Sequence, residues 1–253
     1  LIHVVRNFKV YGFEDPTPYD DFHKLDQELI LADLLVIEKR LERLELDGKR
    51  GKKIDAEELS LLQDCLKNLE KEVPIRKFAD LASAQQLKNF AFLSAKPTLV
   101  LFNNDDEDEA LPDAGELTAT ENCMVIRGKL EQELTQMSEE EVSEFLNEFN
   151  ITDSAMDRVI QRSQELLGLI TFFTIGDHEV RAWTVKQGTF AIDAADVIHT
   201  DMKKGFIRAE VLSYADLKDA GSYQAAKKKG TVRLEGKTYP VNDGDILYIR
   251  FNV

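Results

Sequence analysis

Apolar and polar residues alternate with a period of two in the C-terminal part of the chain. The apolar positions of this pattern are Val180, Ala182, Leu247, Ile249 and Phe251. Such alternation predicts β-strands with one face buried. Gly188 and the run 242–244 (Asn-Asp-Gly) have the residue types of turns, and residues 191–197 indicate a short helix. The predicted order is strand, turn, strand, helix, loop and further strands, which is an α+β module of the ubiquitin-like roll type.

A helical period replaces this alternation in the stretch that begins at Asp26. The apolar positions there follow spacings of four and three in two sets, Ile30, Leu34, Ile37, Leu41 and Leu44, then Leu59, Leu62, Leu66, Leu69 and Val73. The glycine-rich, charged run 47–53 between the sets predicts a loop. Two apolar seams joined by a short loop are expected to bury each other as an antiparallel helical hairpin, which Pro74 ends. Further helix is predicted over 78–94.

Three short apolar runs, 2–5, 97–102 and 123–126, are typical of buried parallel strands. Residues 8–21, which contain two prolines, are predicted as loop. Helices are predicted to start at Ser138, where Glu139, Glu140 and Glu141 follow, and over 157–167. His3 within the first run is expected to be a packed histidine rather than a catalytic one, and Trp183 is expected in the core.

Composition places the chain among ordinary globular proteins. Hydrophobic residues make up 43% and charged residues 31% of the 253 positions. No apolar run approaches the roughly 20 residues needed to span a bilayer, and no signal peptide pattern is present. Cys65 and Cys123 are far apart and in no metal-ligand spacing, so we expect two reduced thiols in a cytoplasmic protein. Since the chain begins at Leu1 without a methionine, we expect it to be a fragment.

The formal net charge is −15, and it is unevenly distributed. Residues 170–253 hold 12 Lys and Arg against 11 Asp and Glu, so all of the excess negative charge lies earlier in the chain. A protein this acidic has no general electrostatic attraction for a phosphate backbone. Contact with a nucleic acid would therefore have to come from local basic patches.

Several long stretches resemble the YchF family of Obg-related P-loop NTPases. They are IHTDMKKGFIRAEV, GKTYPVNDGDILYIRFNV, QELILADLLVIEKRLERL, DRVIQRSQELLGLITFFTIG and LIHVVRNF. The resemblance implies an α/β fold: the remnant of a P-loop NTPase parallel sheet with an inserted antiparallel helical hairpin and a C-terminal ubiquitin-like α+β TGS domain. The implied boundaries are 1–22 and 96–168 for two parts of a nucleotide-binding domain, 23–95 for the helical coiled-coil insertion and 169–253 for TGS. No GxxxxGK[ST] motif occurs in the chain.

The second apolar run ends in Asn103-Asn104-Asp105-Asp106, at the place where P-loop GTPases carry N-K-x-D. Ligands bind at such strand ends in α/β sheets. In that motif the Asn meets the N7 edge of the purine, the stem of the second residue lies along the ring, and the carboxylate accepts from guanine N1–H and N2–H. Asn103 and Asp106 have this spacing, with Asn104 in place of the lysine. A slip to Asn104 and Glu107 would give the N-x-x-E of the YchF family, so base preference stays open.

Arg127-Gly128-Lys129 follows the third run, where the family has S-A-K. The resemblance implies that the Gly128 N–H meets the exocyclic position of the purine. Arg127 in place of serine removes a small hydroxyl that braces the loop. The candidate base-binding residues are therefore Asn103, Asn104, Asp106 and Gly128, with an acidic solvated loop as the alternative.

Basic residues cluster at two places that could contact RNA phosphates. Lys49, Arg50, Lys52 and Lys53 lie in the hairpin loop, and Lys203, Lys204 and Arg208 lie in the TGS segment close to His199. Phe206 among the second group could stack on a base. The alternative in both places is an ordinary solvated surface. His199 has no acidic or nucleophilic companion that would indicate a catalytic triad.

Two functions from different classes remain open. The first is a fragment of an ATP/GTP-binding and hydrolysing regulatory protein that acts at the ribosome or on RNA, with ATP or GTP and Mg²⁺ as cofactors in the complete protein. In it the base-recognition half is present and the phosphate-binding half is missing, so we expect this chain alone not to hydrolyse nucleotide. The second is a non-enzymatic adaptor that binds a protein or RNA partner through the hairpin and TGS. No membrane partner is expected, and the two mutually satisfied seams favour a monomer slightly.

Overall fold

The computed structural model describes residues 1–138, 142, 154–176 and 179–252. The chain divides into two compact units, Leu1–Val159 and Ile160–Val253. Of the predicted helix start at Ser138, residues Glu139, Glu140 and Glu141 lie outside the described residues. No helix in the described ranges is both long enough and apolar enough to cross a membrane.

The first unit contains a parallel three-stranded sheet in the order β1-β2-β3. Its strands are β1 (Ile2–Asn7), β2 (Leu99–Asn104) and β3 (Asn122–Ile126). Both strand pairs are parallel, as the three apolar runs predict. β2 lies in the middle and is almost wholly buried, whereas β1 is an edge strand in which Val5 is buried and Ile2 and Val4 are exposed. The prediction of a buried first strand was therefore wrong for half of its residues.

Five helices and two 3₁₀ turns complete the described part of this unit, and a sixth helix runs from it into the second unit. They are α1 (Pro18–Lys49), α2 (Ala56–Leu69), α3 (Ala79–Ser83), α4 (Leu117–Thr120), α5 (Gly128–Leu134), α6 (Ala155–Leu166) and the 3₁₀ turns Ile75–Lys77 and Gln85–Phe90. The continuous helix predicted over 78–94 was wrong: the chain there breaks into short turns, and Ala91 takes a left-handed φ of 52°.

Helices α1 and α2 form the predicted antiparallel pair, and both apolar seams face inward. Arg40 of α1 pairs with Glu58 near the start of α2 at 2.7 Å, while Gln27 donates to Glu72 just beyond the end of α2. A later part of α1 thus contacts the start of α2, and an earlier part of α1 contacts the region after α2, so the two helices are antiparallel. Ile37 and Leu62 are completely buried in the core between them. The second seam ends earlier than predicted, since α2 stops at Leu69.

Helix α1 is longer at both ends than the sequence predicts. It begins at Pro18 rather than near Asp26, because proline is favoured in the first turn, where its missing N–H leaves no bond unmade. It also continues through Gly48 to Lys49. A side chain at position 48 would place its Cβ 2.7 Å from Ile54 Cδ1, so glycine makes room for Ile54 to pack over the helix end. The hairpin loop is consequently shorter than the predicted 47–53 stretch.

Buried ion pairs join the hairpin to the rest of the first unit. Arg76 donates to Asp26 of α1 at 2.7 and 3.0 Å and to Glu121, just before β3, at 2.9 Å. All three side chains are largely buried. Asp33, also buried in α1, accepts from the backbone N–H groups of Leu93 and Ser94 at 2.9 and 2.7 Å. Buried charged groups are tolerated when an opposite charge or a hydrogen-bond donor lies this close to them.

The second unit contains a mixed five-stranded sheet in the order β5-β4-β8-β6-β7. Its strands are β4 (Leu169–Ile175), β5 (Val180–Lys186), β6 (Phe206–Ser213), β7 (Arg233–Glu235) and β8 (Asp245–Phe251). The β4–β5 and β6–β8 pairs are antiparallel and β4 pairs with β8 in parallel. Gly188 and Gly244 take φ of 83° and 77°, which confirms the predicted turns.

After the end of α6, the described part of the second unit contains four helices. They are α7 (Ala191–Ile198), α8 (Thr200–Lys204), α9 (Tyr214–Ala220) and α10 (Tyr223–Lys229). The first confirms the helix predicted over 191–197, and its alanines pack directly on the sheet. The predicted loop after it contains α8, and α9 and α10 were not predicted. Gly205 ends α8 where a Cβ would lie 2.1 Å from the Asn252 carbonyl oxygen, so no other residue fits this crossing.

His3, Cys65 and Trp183 were predicted to be packed in the interior, and they are buried to different degrees. His3 is half-buried and its ring stacks on Phe22 with centroids 5.5 Å apart, so it is a packed histidine as predicted. Cys65 is completely buried, and burial raises the pKa of its thiol to about 11. Trp183 is half-buried at the edge of the core, so its assignment to the core was only partly right.

Replacing Arg76 with alanine is expected to destabilise the chain by about 3–5 kcal/mol, because Asp26 and Glu121 would be left buried without a cation. Urea unfolding at neutral pH measures the loss. The matched control is Arg40→Ala, which breaks the more exposed pair with Glu58 and should cost about 1 kcal/mol or less. Equal losses in the two variants would contradict the anchoring role of Arg76.

Candidate functional site

Three of the four candidate base-binding residues come together at the carboxyl end of the parallel sheet. β2 ends in Asn103 and Asn104, and Asn103 lies opposite Ile126, the last residue of β3. The Asn103 Oδ1 atom accepts a hydrogen bond of 2.9 Å from the Gly128 backbone N–H. This bond connects the loop after β2 with the loop after β3. Since parallel strands end at one edge of the sheet, the two sequence motifs meet there.

Gly128 lies directly against the end of the Asn103 side chain. A Cβ at position 128 would lie 2.9 Å from Asn103 Oδ1 and 3.2 Å from its Nδ2. The sequence-based expectation was that the Gly128 N–H is free for a purine. That expectation needs correction, because Asn103 already occupies this donor in the structure. The Asn103 Nδ2 group, by contrast, donates to no residue that the structure describes.

Asp106 contacts the same segment after β3, residues 127–129, that Asn103 contacts. Its carboxylate accepts a hydrogen bond of 3.0 Å from Lys129 Nζ, and this bond raises the pKa of the Lys129 ammonium. Its backbone carbonyl accepts from Arg127 Nη1 at 3.3 Å. The carboxylate stays partly exposed, so it has acceptor capacity left for a ligand.

Arg127 is a brace that sequence reasoning missed. Its side chain is buried and pairs with Glu109 at 2.9 Å, in addition to its bond to Asp106. The sequence suggested that an arginine here weakens the loop by removing a small hydroxyl. In the structure the Arg127 side chain contacts both Asp106 and Glu109, and these contacts hold the acidic loop 105–109 in place. An arginine that follows a strand close to a run of carboxylates is the signal that could have indicated this role.

Asn104 is not brought to the site. It is buried, with its Oδ1 accepting from Asn7 Nδ2 at 2.9 Å and its Nδ2 donating to the carbonyls of Asp108 and Ala110 at 3.2 and 2.8 Å. Adjacent residues of a strand point to opposite faces of the sheet, so Asn103 and Asn104 cannot both reach the same ligand. Asn104 instead ties the acidic loop to β1 and β2.

The basic residues of the hairpin loop are exposed, and two of the four are paired with acids. Lys49 binds Glu45 at 2.6 Å and Lys52 binds Asp47 at 2.7 Å. Arg50 and Lys53 form no hydrogen bond or ion pair through their side chains with any described residue. The free positive charge at this loop is therefore smaller than the sequence suggests.

Two of the three candidate RNA-binding residues of the second unit are also paired with acids. Lys203 lies 3.1 Å from Asp193 and 3.0 Å from Asp196, and Lys204 lies 3.2 Å from Asp201. Arg208 is exposed on β6. Phe206 was expected to be available for stacking on a base, and this was wrong: its side chain is buried in the core of the sheet.

The arrangement at the sheet edge suits a planar ligand that offers one acceptor and adjacent donors. Asn103 supplies an amide donor and Asp106 a carboxylate acceptor, and both are held in place by neighbouring loops. Within the described ranges, no group of three His, Cys, Asp or Glu side chains could hold a metal ion.

Comparison with known proteins identifies the family. Over its whole length the chain is 39% identical to the Bacillus subtilis protein named ribosome-binding ATPase YchF, of which it spans 73%. The chain belongs to the YchF family. A Haemophilus influenzae protein of the same name is 41% identical over 99% of this chain and 72% of its own length. Residues 169–252 match the YchF GTPase C-terminal domain, described as a protein of unknown function (DUF933).

A solved YchF structure has the same architecture. The Schizosaccharomyces pombe YchF GTPase superposes with a TM-score of 0.82 at 29% identity, covering 98% of this chain and 71% of the yeast chain. The relatives are named as an ATPase in bacteria and as a GTPase in the yeast structure. The resemblance read from the sequence motifs is thus confirmed at the level of the family.

The bond between Asn103 and Gly128 can be tested directly. We expect Asn103→Ala to speed hydrogen exchange of the Gly128 amide by roughly five- to tenfold, since a neutral hydrogen bond of this kind stabilises by about 1 kcal/mol. Amide exchange followed by NMR measures this rate. Lys129→Ala removes a neighbouring contact with Asp106 but not this bond, and it should leave the rate unchanged. An unaltered Gly128 rate in Asn103→Ala would contradict the geometry described above.

Proposed function

We propose that residues 103–106 and 127–129 form the base-recognition site of a YchF-type ATP/GTP-binding regulatory protein that acts at the ribosome or on RNA. The observation that carries this proposal is the hydrogen bond between Asn103 and Gly128, which brings two nucleotide-recognition motifs together at one sheet edge. The ribosome-binding names of the bacterial relatives support the partner.

Recognition of the base would use two groups with separate tasks. The Asn103 Nδ2 donates to the purine N7, while its Oδ1 stays on the Gly128 N–H. The Asp106 carboxylate exchanges Lys129 for the N1–H and N2–H donors of guanine, which adenine does not offer. Asn104 braces the loop without touching the ligand. This assignment favours guanine by its chemistry.

The four segments inferred from the sequence fit this role as proposed domains. Residues 1–22 and 96–168 would form two parts of the nucleotide-binding domain, 23–95 the helical insertion and 169–253 a TGS domain. The phosphates and Mg²⁺ would need a GxxxxGK[ST] cradle, which these 253 residues do not contain. We propose that the chain alone binds nucleotide weakly and does not hydrolyse it.

Equilibrium binding of fluorescent GTP and ATP tests the site. We expect the chain to bind GTP more tightly than ATP, and Asp106→Asn to weaken GTP binding by roughly tenfold or more, because hydrogen bonds to a charged acceptor stabilise by about 1.5–3 kcal/mol. The matched control is Asp105→Asn, which removes the same charge from an exposed neighbour and should leave affinity nearly unchanged. Asn103→Ala should weaken both nucleotides by roughly fivefold.

Three outcomes would contradict this part of the proposal. Binding of neither nucleotide removes the base site and leaves the non-enzymatic adaptor. Equal effects of the Asp105 and Asp106 substitutions would indicate a general charge effect. Release of phosphate above the blank would show that the chain hydrolyses nucleotide.

The proposed RNA-binding surface includes Lys49, Arg50, Lys52 and Lys53 of the hairpin loop and Lys203, Lys204 and Arg208 of the second unit. Cations already paired with carboxylates release no counterions when they meet phosphates without first breaking those pairs. Within the loop, Arg50 and Lys53 are therefore expected to contribute most. Because the rest of the chain is acidic, RNA binding would depend on these few contacts between cations and phosphates, and such contacts weaken as the salt concentration rises.

We expect the double substitution of Arg50 and Lys53 by alanine to weaken binding to ribosomes and to reduce the salt dependence of log K by about 1.4, the value for two phosphate contacts to a single strand. Co-sedimentation at several salt concentrations measures both quantities. The control is the double substitution of Lys49 and Lys52, which we expect to have the smaller effect. If neither pair alters binding, the hairpin loop is not the contact surface.

A further inference from the structure

Trp183 is the single tryptophan of the chain and lies in β5, an edge strand of the five-stranded sheet. Its ring is nearly parallel to that of Phe172, with centroids 6.5 Å apart. The guanidinium of Arg181 lies over the Trp183 ring, 4.2 Å from its centroid. The indole Nε1 donates to Thr174 Oγ1 at 2.9 Å, which fixes the ring orientation. The Phe172 ring, the Trp183 ring and the Arg181 guanidinium thus form a stack from the core to the surface.

A cavity of about 510 Å³ opens beside this stack. Its lining includes the buried side chains of Leu247 and Ile249 and the exposed side chains of Ile175 and Phe251. Met202 of α8 also lines it. A volume of this size lies in the range of small-molecule sites. Apolar surface left open to water at a concave place is typical of a binding site.

Arg181 is the guanidinium among the polar residues that line the cavity, which also include Glu179 and His199. It is exposed, and its side chain forms no hydrogen bond or ion pair with any residue in the described ranges. None of the described residues occupies its N–H donors, and its guanidinium lies over the Trp183 ring. Lys203 and Lys204 nearby are instead occupied by carboxylates. A guanidinium presented in this way can stack on a flat ring and donate to an anion at the same time.

We propose that this cavity binds one unpaired nucleotide of a single-stranded RNA, with the base against the Arg181 and Trp183 stack and the phosphate on the Arg181 donors. Stacking on aromatic rings and guanidinium planes is how unpaired bases are held. The residues from 170 onward are close to neutral in sum, so an RNA strand meets less repulsion here than elsewhere on this acidic chain. This inference rests on the RNA partner in the proposed function and names its contact site.

Trp183 emission tests the proposal directly. An adenine hexanucleotide is titrated into the full chain, and we expect saturable quenching of the emission. Arg181→Ala should weaken the binding by roughly tenfold, as loss of one base stack does. Arg181→Lys keeps the charge without the planar group, and we expect it to recover only a minor part of the affinity. Because Arg181 is exposed, its replacement is not expected to unfold the unit, which circular dichroism checks.

Arg233→Ala is the matched control. Its guanidinium also lies over an aromatic ring, that of Tyr239 at 5.5 Å, but it does not line the cavity. We expect Arg233→Ala to leave the quenching unchanged. Inorganic phosphate alone should not quench, because it offers no base.

Anisotropy of the labelled oligonucleotide separates the failure of this site from the failure of the proposed partner. RNA that binds without altering Trp183 emission would overturn the cavity site and leave the proposed RNA partner intact. No RNA binding by either readout would overturn both. Quenching by a phosphotyrosine peptide but not by RNA would assign the cavity to a protein partner and contradict the inference.

Discussion

The buried contact of Arg76 with Asp26 and Glu121 is the interaction on which the first unit depends. Charged groups lose their hydration when buried, and the loss is offset only by close pairing in good geometry. Here one guanidinium serves a carboxylate from α1 and another that immediately precedes β3. The ion pairs therefore determine where the hairpin stands on the sheet. Asp33 lies about two helical turns further along α1. Its carboxylate accepts hydrogen bonds from the backbone N–H groups of Leu93 and Ser94, which precede β2.

The same contacts determine the geometry of the candidate base site. Asp33 fixes the backbone that leads into β2, and Arg76 fixes the residue that leads into β3. Both strands then run in parallel to the edge where Asn103 accepts the Gly128 N–H. Because strands are nearly inextensible, fixing their starts also fixes the relative positions of their ends. The hairpin thereby contributes to the site without touching it.

The surface offers fewer unpaired positive charges than a count of lysines and arginines along the sequence suggests. Many of the lysines that form basic runs along the chain are paired with carboxylates close in space, as Lys52 is with Asp47 and Lys203 with Asp193 and Asp196. The cations that remain for a polyanion include Arg50 and Arg181, which form no ion pair with any residue that the structure describes. A chain with a net charge of −15 that binds RNA must do so through such places and through stacking.

Periodicity and turn chemistry in the sequence were sufficient to predict the hairpin seams, the three parallel strands, the helix after Gly188 and the two C-terminal turns, because each depends on local spacing and backbone preference. The choice between Asn103 and Asn104 is not local. They are adjacent residues of one strand, and the order of the sheet decides which faces Gly128 and which is buried against Asn7. The burial of Phe206, the bracing by Arg127 and the continuation of α1 past Gly48 likewise depend on residues distant in the sequence or on packing across a turn. Tertiary contacts decided these features because the contacting partners meet only in the folded chain.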